Sequence, residues 1–357
     1  MKVAFYAPMK HPDHTVPSGD RTVARSLLSA LRFAGADVVI ASQFQSRDGQ
    51  GNSTVQEQLL QQARTEAIGM IERGKLQGWR AWITYHNYYK APDLLGPTVC
   101  QALEIPYLQV ESTRAKKRLT GNWAAFSRAA EDATDRADLV FHFTNHDAEA
   151  LRAYAPPTQK LRHLRPFLDR KDVEGARPRG SGLFAVGMMR ERDKLQSYEL
   201  ISQTLHLLKS DRWTLAIAGD GPAREQVMAL FQPFGSNVRL LGALSSEELA
   251  QQYTAHGIFF WPGVNEAFGM AYLEAQAAGL AVVAQDRPGV REVVPAGFSP
   301  SPDGGPGALA ARVQDLIGSA DRLKQAQLSS FENARRHLLP AAANTLRDGF
   351  RDVGVLL

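Results

Sequence analysis

Short apolar runs alternate with segments of helical period along almost the whole chain, the pattern of repeated βαβ units around parallel sheets. The run 3–7 predicts a strand. A helix is expected over 22–33, stopped at Gly35, and a second strand over 37–41. Thr54 followed by Glu57 has the spacing of a capping box and predicts a helix start. Further strands are expected at 79–85, 106–110 and 138–143. Residues 169–182 carry Arg, Lys, Pro and Gly without apolar period and read as a linker. The alternation then restarts, with strands expected at 183–186, 214–218, 238–241, 258–261 and 281–284. The fold class is therefore α/β: two Rossmann-like doubly wound domains, 1–168 and 183–339, expected to face each other across a cleft, with a last helix in 340–357. Open sheets of this kind take ligands beyond the carboxyl ends of their strands.

Composition narrows the classes. At 357 residues the chain exceeds what one hydrophobic core usually organises, and 44% hydrophobic with 22% charged residues excludes a disordered or fibrous protein. No apolar run approaches the roughly 18 residues that span a bilayer. The N-terminus turns polar too soon for a signal peptide, so a cytoplasmic protein is expected. A single cysteine, Cys100, leaves neither an intramolecular disulfide nor a Cys-based zinc site. The net charge of +4 is too small for a dedicated nucleic-acid binder but leaves room for an anionic substrate. Arg114, Lys116, Lys117 and Arg118 form a local basic cluster. It reads either as a solvated face or as a peripheral contact with an anionic membrane surface.

Several signatures are missing: Walker A, H-E-x-x-H, G-x-S-x-G, and, in the turn Pro8-Met9-Lys10-His11, the G-x-G-x-x-G of a dinucleotide fold. His142 and His146 are four apart, but the first falls on an expected strand, so ordinary structural roles are expected. The second half is more informative. After the strand ending near Gly187 a loop carries Arg190, Arg192 and Lys194 into a helix, at the strand edge where a phosphate would sit. A second strand runs into Gly219-Asp220-Gly221-Pro222, and a third, around Leu240, ends at Gly242. The segment Glu266-Ala267-Phe268-Gly269-Met270 leads into a helix bearing Glu274. Eight positions of helical rise correspond to roughly 12 Å. The helix start at Gly269 would offer unpaired N–H groups to an anion.

In this order and at these intervals the motifs resemble those of glycosyltransferase family 4, retaining nucleotide-sugar-dependent enzymes of the GT-B fold, most strongly over 183–294. The resemblance implies that Glu274 holds the donor ribose, Glu266 faces the transferred sugar, and Lys194 with the Phe268-Gly269-Met270 amides neutralises the diphosphate. Met188 stands where family members often carry Arg, and Arg190 or Arg192 would replace it. Glu111 stands where many carry a His, and His86 is a second candidate for the chemistry. Ser18, Gly19 and Asp20, with Lys117 and Arg118, are expected on the acceptor side, and the last helix is expected to return to the first domain. The implied function is transfer of a hexose-type sugar from a UDP- or GDP-sugar to a glycan or lipid-linked acceptor. The alternatives are a nucleotide-sugar epimerase or hydrolase, and a catalytically silent binding module. No Asp-x-Asp occurs and the basic loop carries charge a metal would otherwise supply, so metal independence is expected, with no cofactor besides the nucleotide sugar.

Overall fold

The first unit, Met1–Arg165 together with Leu339–Leu357, is built on a six-stranded parallel sheet. Its strands are β1 (Lys2–Tyr6), β2 (Asp37–Ile40), β3 (Ala81–Asn87), β4 (Tyr107–Ser112), β5 (Leu139–His142) and β6 (Lys160–His163), in the order β2-β1-β3-β4-β5-β6. The structure, a computed structural model, describes residues 1–16, 18–173, 180, 182–210 and 212–357; part of the expected linker, 174–179 and 181, lies outside them. The central strands β1, β3, β4 and β5 are almost wholly buried, which is why they read as continuous apolar runs. The chain leaves β1 toward β2 on one side and returns to β3 on the other. That reversal opens a crevice at the carboxyl ends of β1 and β3.

The second unit, Pro166–Leu338, repeats the plan with five strands: β7 (Leu183–Val186), β8 (Leu215–Ala218), β9 (Val238–Gly242), β10 (Ile258–Phe260) and β11 (Ala281–Val283), ordered β11-β10-β7-β8-β9. Here the reversal falls between β7 and β10. The loops after those two strands are the ones carrying Lys194 and Glu266.

Local chemistry sets the helix ends. Helix Gly19–Phe33 starts earlier than its apolar period suggests because Ser18 caps it, its hydroxyl accepting from Arg21 N at 3.3 Å. The capping box expected at Thr54 and Glu57 is not formed. Asn52 caps helix Ser53–Gln77 instead, its Oδ1 accepting from the amides of Thr54 and Val55 at 3.0 and 3.2 Å. A reciprocal box occurs where none was expected, at Ser245 and Glu248 before helix Ser246–Ala255.

The chain passes between the units at two neighbouring points. Leu168 N donates to His337 O at 2.8 Å and His337 Nδ1 lies 2.7 Å from Pro166 O, so residues 166–168 pack with the second unit. Helix Leu339–Asp352 belongs to the first unit. Its buried stripe of Ala342, Ala343, Leu346 and Phe350 has helical period, and Arg347 Nε donates to Ala34 O at 3.2 Å beyond helix Gly19–Phe33. Among the described residues no helix is long and apolar enough to cross a membrane.

Candidate active site

In the second unit, Lys194 and Glu266 meet at the crevice between β7 and β10. Lys194 lies in the first turn of helix Asp193–His206, where the helix dipole disfavours a cation. Arg192 before it has φ +66°, a left-handed conformation unusual for a residue with a Cβ. The ammonium is ion-paired with Glu266 Oε1 and stands 5.3 Å from the centre of the Trp261 ring. Trp261 Nε1 donates to the same carboxylate oxygen at 2.9 Å. The Trp261 ring packs edge-on against Tyr198, 5.0 Å away, and Tyr272 OH donates to Trp261 O at 2.9 Å. Asn265 Nδ2 donates to Asp193 Oδ2 at 2.8 Å, joining the two loops a second time. A cation is thus held against its local helix preference by a carboxylate and an indole, the kind of local conflict that marks a functional site.

On the other side of Gly187, which lies against the Trp261 ring, is a cavity of about 250 Å³ lined by Gly187, Met188, Gly219, Asp220, Ala243 and Leu244. Gly219 has φ +143°, and a Cβ there would overlap the carbonyl oxygen of Gly187, so the floor of the cavity is bare backbone. Gly221 lies under Met189 O in the following turn. Met188 is half exposed at the cavity, while Arg190 and Arg192 are exposed on the loop beyond it. Leu240 packs against the core, and Ala243 and Leu244, which the sequence reading passed over, line the cavity past the end of β9.

Gly269, with φ +62°, opens helix Met270–Ala277; Ala267 is exposed there, while Phe268 and Met270 are partly buried against the core. Glu266 lies in the loop before this helix, so eight residues of helical rise do not separate it from Glu274; only 270–274 are helical. Glu274 accepts a hydrogen bond from Tyr253 OH at 3.0 Å and lines a separate cavity of about 330 Å³ with Arg170, Asp172 and Thr254. Burial pushes its carboxyl above the usual carboxylate range, and the Tyr253 hydroxyl and Arg170 oppose that rise. Nothing in the sequence pattern pairs Tyr253 or Arg170 with Glu274, since those contacts arise only from packing across the unit.

In the first unit the crevice between β1 and β3 gathers a second polar group. Asp20, in the first turn of its helix, lies with Oδ1 3.0 Å from His86 Nδ1 at the end of β3. Burial works to lower the His86 pKa, but the Asp20 carboxylate and the nearby charge of Glu111 outweigh it and hold the ring above its usual value. Burial pushes Glu111 up as well, and its Oε2 is enclosed without a hydrogen-bond partner. His86 and Glu111 have φ +65° and +58°. Such backbone costs about 1–3 kcal/mol each and persists where the surroundings over-determine it. Ser18 is spent on its cap, and a Cβ at Gly19 would meet open space. The sequence named Asp20, His86 and Glu111 singly; their meeting depends on the β1–β3 and β3–β4 neighbour relations.

The basic cluster is not the four-cation face expected. Arg114 is buried between Glu131 and Asp135, and Lys116 Nζ lies 3.1 Å from Glu131. The acidic partners sit 15 to 21 residues downstream on helix Ala124–Arg136, out of reach of a local charge count. Lys117 and Arg118 remain exposed. His142 stacks on His163, centroids 5.2 Å apart, a structural role.

The fold defined by these two units is the GT-B fold. Sucrose-phosphate synthase from Thermosynechococcus elongatus shares it at 17% identity, TM-score 0.70, over 99% of both chains. The Anabaena protein HepE, solved in complex with UDP, shares it at 14% identity, TM-score 0.70, over 98% of this chain and all of that one. By sequence, residues 180–319 match the family model described as Glycosyl transferases group 1. The sulfoquinovosyl transferase of Arabidopsis thaliana is 34% identical over 100 residues, 28% of this chain and only 19% of that relative's length.

Proposed function

We propose that the protein is a retaining, metal-independent glycosyltransferase that moves a hexose-type sugar from a UDP- or GDP-sugar to a glycan or lipid-linked acceptor. The observation that carries the reading is the Lys194–Glu266–Trp261 group beside a glycine-floored cavity, inside the segment that matches the group 1 family. A structural neighbour solved with UDP supports a nucleoside diphosphate as the donor's carrier.

In this proposal the nucleotide occupies the cavity between Gly187 and Leu244, and its diphosphate lies at Lys194 and the amides around Gly269. Glu266 exchanges its ion pair for a hydroxyl of the sugar, and Glu274 turns from Tyr253 to the ribose. As the bond from the anomeric carbon to the diphosphate breaks, negative charge grows on the leaving oxygens, so Lys194 stabilises the transition state more than the bound donor. The leaving diphosphate takes the acceptor proton on the same face of the sugar, which retains the anomeric configuration. Asp20, His86 and Glu111 hold the acceptor. A membrane-surface attachment through 114–118 loses support, because Arg114 and Lys116 are engaged by Glu131.

Calorimetric titration with UDP and GDP tests the donor assignment. Micromolar binding of either by the wild-type chain, weakened by no more than about tenfold in Lys194→Ala, is expected; no binding of either nucleotide overturns it.

A further inference from the structure

Beyond His86 the first unit carries a line of aromatic rings that the donor chemistry does not use. His86 and Tyr88 have ring centroids 4.7 Å apart, Tyr88 and Tyr89 5.6 Å, and Tyr89 and Trp123 5.3 Å. All four rings are partly exposed. Two cations stand around them. Lys90 Nζ is 5.8 and 5.6 Å from the Tyr89 and Trp123 rings, and the Arg118 guanidinium is 5.4 Å from Tyr89. Among the described residues neither of these cations has a carboxylate partner, unlike Arg114 and Lys116 in the same segment.

The line is rigidly mounted. Tyr88 and Ala91 form an antiparallel bridge, and Asp48 N donates to Lys90 O at 2.9 Å. The buried Asp48 carboxylate accepts from the amides of Gln50, Gly51 and Asn52 and from Gln56 Nε2, which also donates to Asn122 O. Trp123 is seated on Gly51, where a Cβ would come within 3.1 Å of the indole. Three loops are thus tied into one platform whose exposed product is a row of rings with unneutralised charge. Rigid, amphipathic rings give contact area at little entropic cost.

We propose that Tyr88, Tyr89 and Trp123, with Lys90 and Arg118, form a binding subsite for an anionic oligosaccharide, the part of the acceptor that leads away from His86. This rests on the glycosyltransferase reading. Sugar rings present C–H faces that lie on the electron-rich faces of aromatic rings. Guanidinium and ammonium groups at those rings meet a carboxylate, sulfate or phosphate on the sugar, Arg118 in bidentate fashion. The position of the cations sets the direction: Lys90 and Arg118 stand at the Tyr89 and Trp123 rings, so the charged sugar belongs at that end, while the Asp20–His86 pair at the other end takes a neutral hydroxyl-bearing sugar.

The test uses the wild-type protein and four probes followed by calorimetry and Trp123 fluorescence: a galacturonic acid trimer, a sulfated heparin-derived disaccharide, neutral maltotriose, and oligo(dT). Binding of one anionic saccharide at least tenfold tighter than maltotriose and oligo(dT), reduced tenfold or more in Lys90→Gln/Arg118→Gln and in Tyr89→Ala, is expected. The exposed Lys90 and Arg118 changes keep the test decisive where Tyr89→Ala fails to fold. Equal affinity for maltotriose, preference for oligo(dT), no binding of either anionic saccharide, or undiminished binding in the charge variant overturns the proposal. UDP and GDP titrations of the same wild-type sample separate the readings: nucleotide binding without saccharide binding defeats this subsite alone, while absence of both defeats the donor assignment.

Discussion

Replacing Lys194 by Met keeps the length of the side chain and removes its charge. The pair it makes with Glu266 is partly buried, with the two side chains 28% and 14% exposed. That places it between exposed pairs, worth about 0.2–1 kcal/mol, and buried ones, whose rupture costs about 3–5 kcal/mol. Glu266 keeps the Trp261 N–H, so the loss is expected near 1–3 kcal/mol. Removing a cation from the first turn of a helix returns about 0.3–1 kcal/mol. A net destabilisation of about 1–2 kcal/mol leaves the fold intact against a typical total of about 5–15 kcal/mol. Catalysis should suffer more. A donor aimed at developing charge is worth about 2.7–4 kcal/mol, so kcat for donor hydrolysis should fall about 100- to 1,000-fold. Ground-state nucleotide-sugar affinity should fall no more than about tenfold, or 1.4 kcal/mol. Stopped-time assays of nucleotide release, with calorimetry of donor binding on the same preparation, separate the two. A kcat within threefold of wild type, or a loss carried wholly by affinity, refutes the assignment of Lys194 to the leaving diphosphate.

Glu274→Ala should weaken nucleotide-sugar binding by about 1.5–3 kcal/mol, since hydroxyl contacts to a carboxylate are lost; unchanged affinity by calorimetry in a folded variant removes Glu274 from the ribose. His142 is held down to about 4 by burial and by the neighbouring His163. The unfolded chain therefore binds the extra proton more readily, and stability is present above about pH 6.5 and falls as pH drops toward 4; a histidine titration by NMR with His142 at its ordinary value contradicts this. Gly349 faces the Phe141 ring so closely that a Cβ would overlap it, so Gly349→Ala should destabilise the protein by about 1–3 kcal/mol in denaturant unfolding, and a neutral effect argues against the docking of helix Leu339–Asp352.

The parts of this structure that were legible in the sequence are those set by local pattern. Central strands such as β1 and β3 are buried on both faces and announce themselves as apolar runs, and both sheets follow from their alternation with helices except for the edge strand β6, which Lys160, Arg162 and His163 make polar. The ordered motifs drew attention to Lys194 and Glu266, which the structure joins in one ion pair. What stayed hidden depends on partners far along the chain. Arg114 reads as surface charge until Glu131 and Asp135 are packed against it, and the hydrogen bond from Tyr253 to Glu274 joins residues 21 apart that no motif pairs. Helix starts were misread for a smaller reason: Asn52, two residues before Thr54, takes the cap by accepting from the Thr54 and Val55 amides, and the preceding loop, pinned by Asp48, delivers the chain so that the helix begins there.

The central claim, transfer with retention from a nucleotide sugar, is tested most directly by the anomer formed. Wild-type protein is incubated with UDP- and GDP-hexoses of α configuration, without acceptor and then with the saccharide that binds best, and the sugar product is read by proton NMR before mutarotation. The account predicts release of UDP or GDP together with an α-configured product. A β-configured product, or a nucleotide sugar returned with its sugar epimerised and its diphosphate intact, would contradict it.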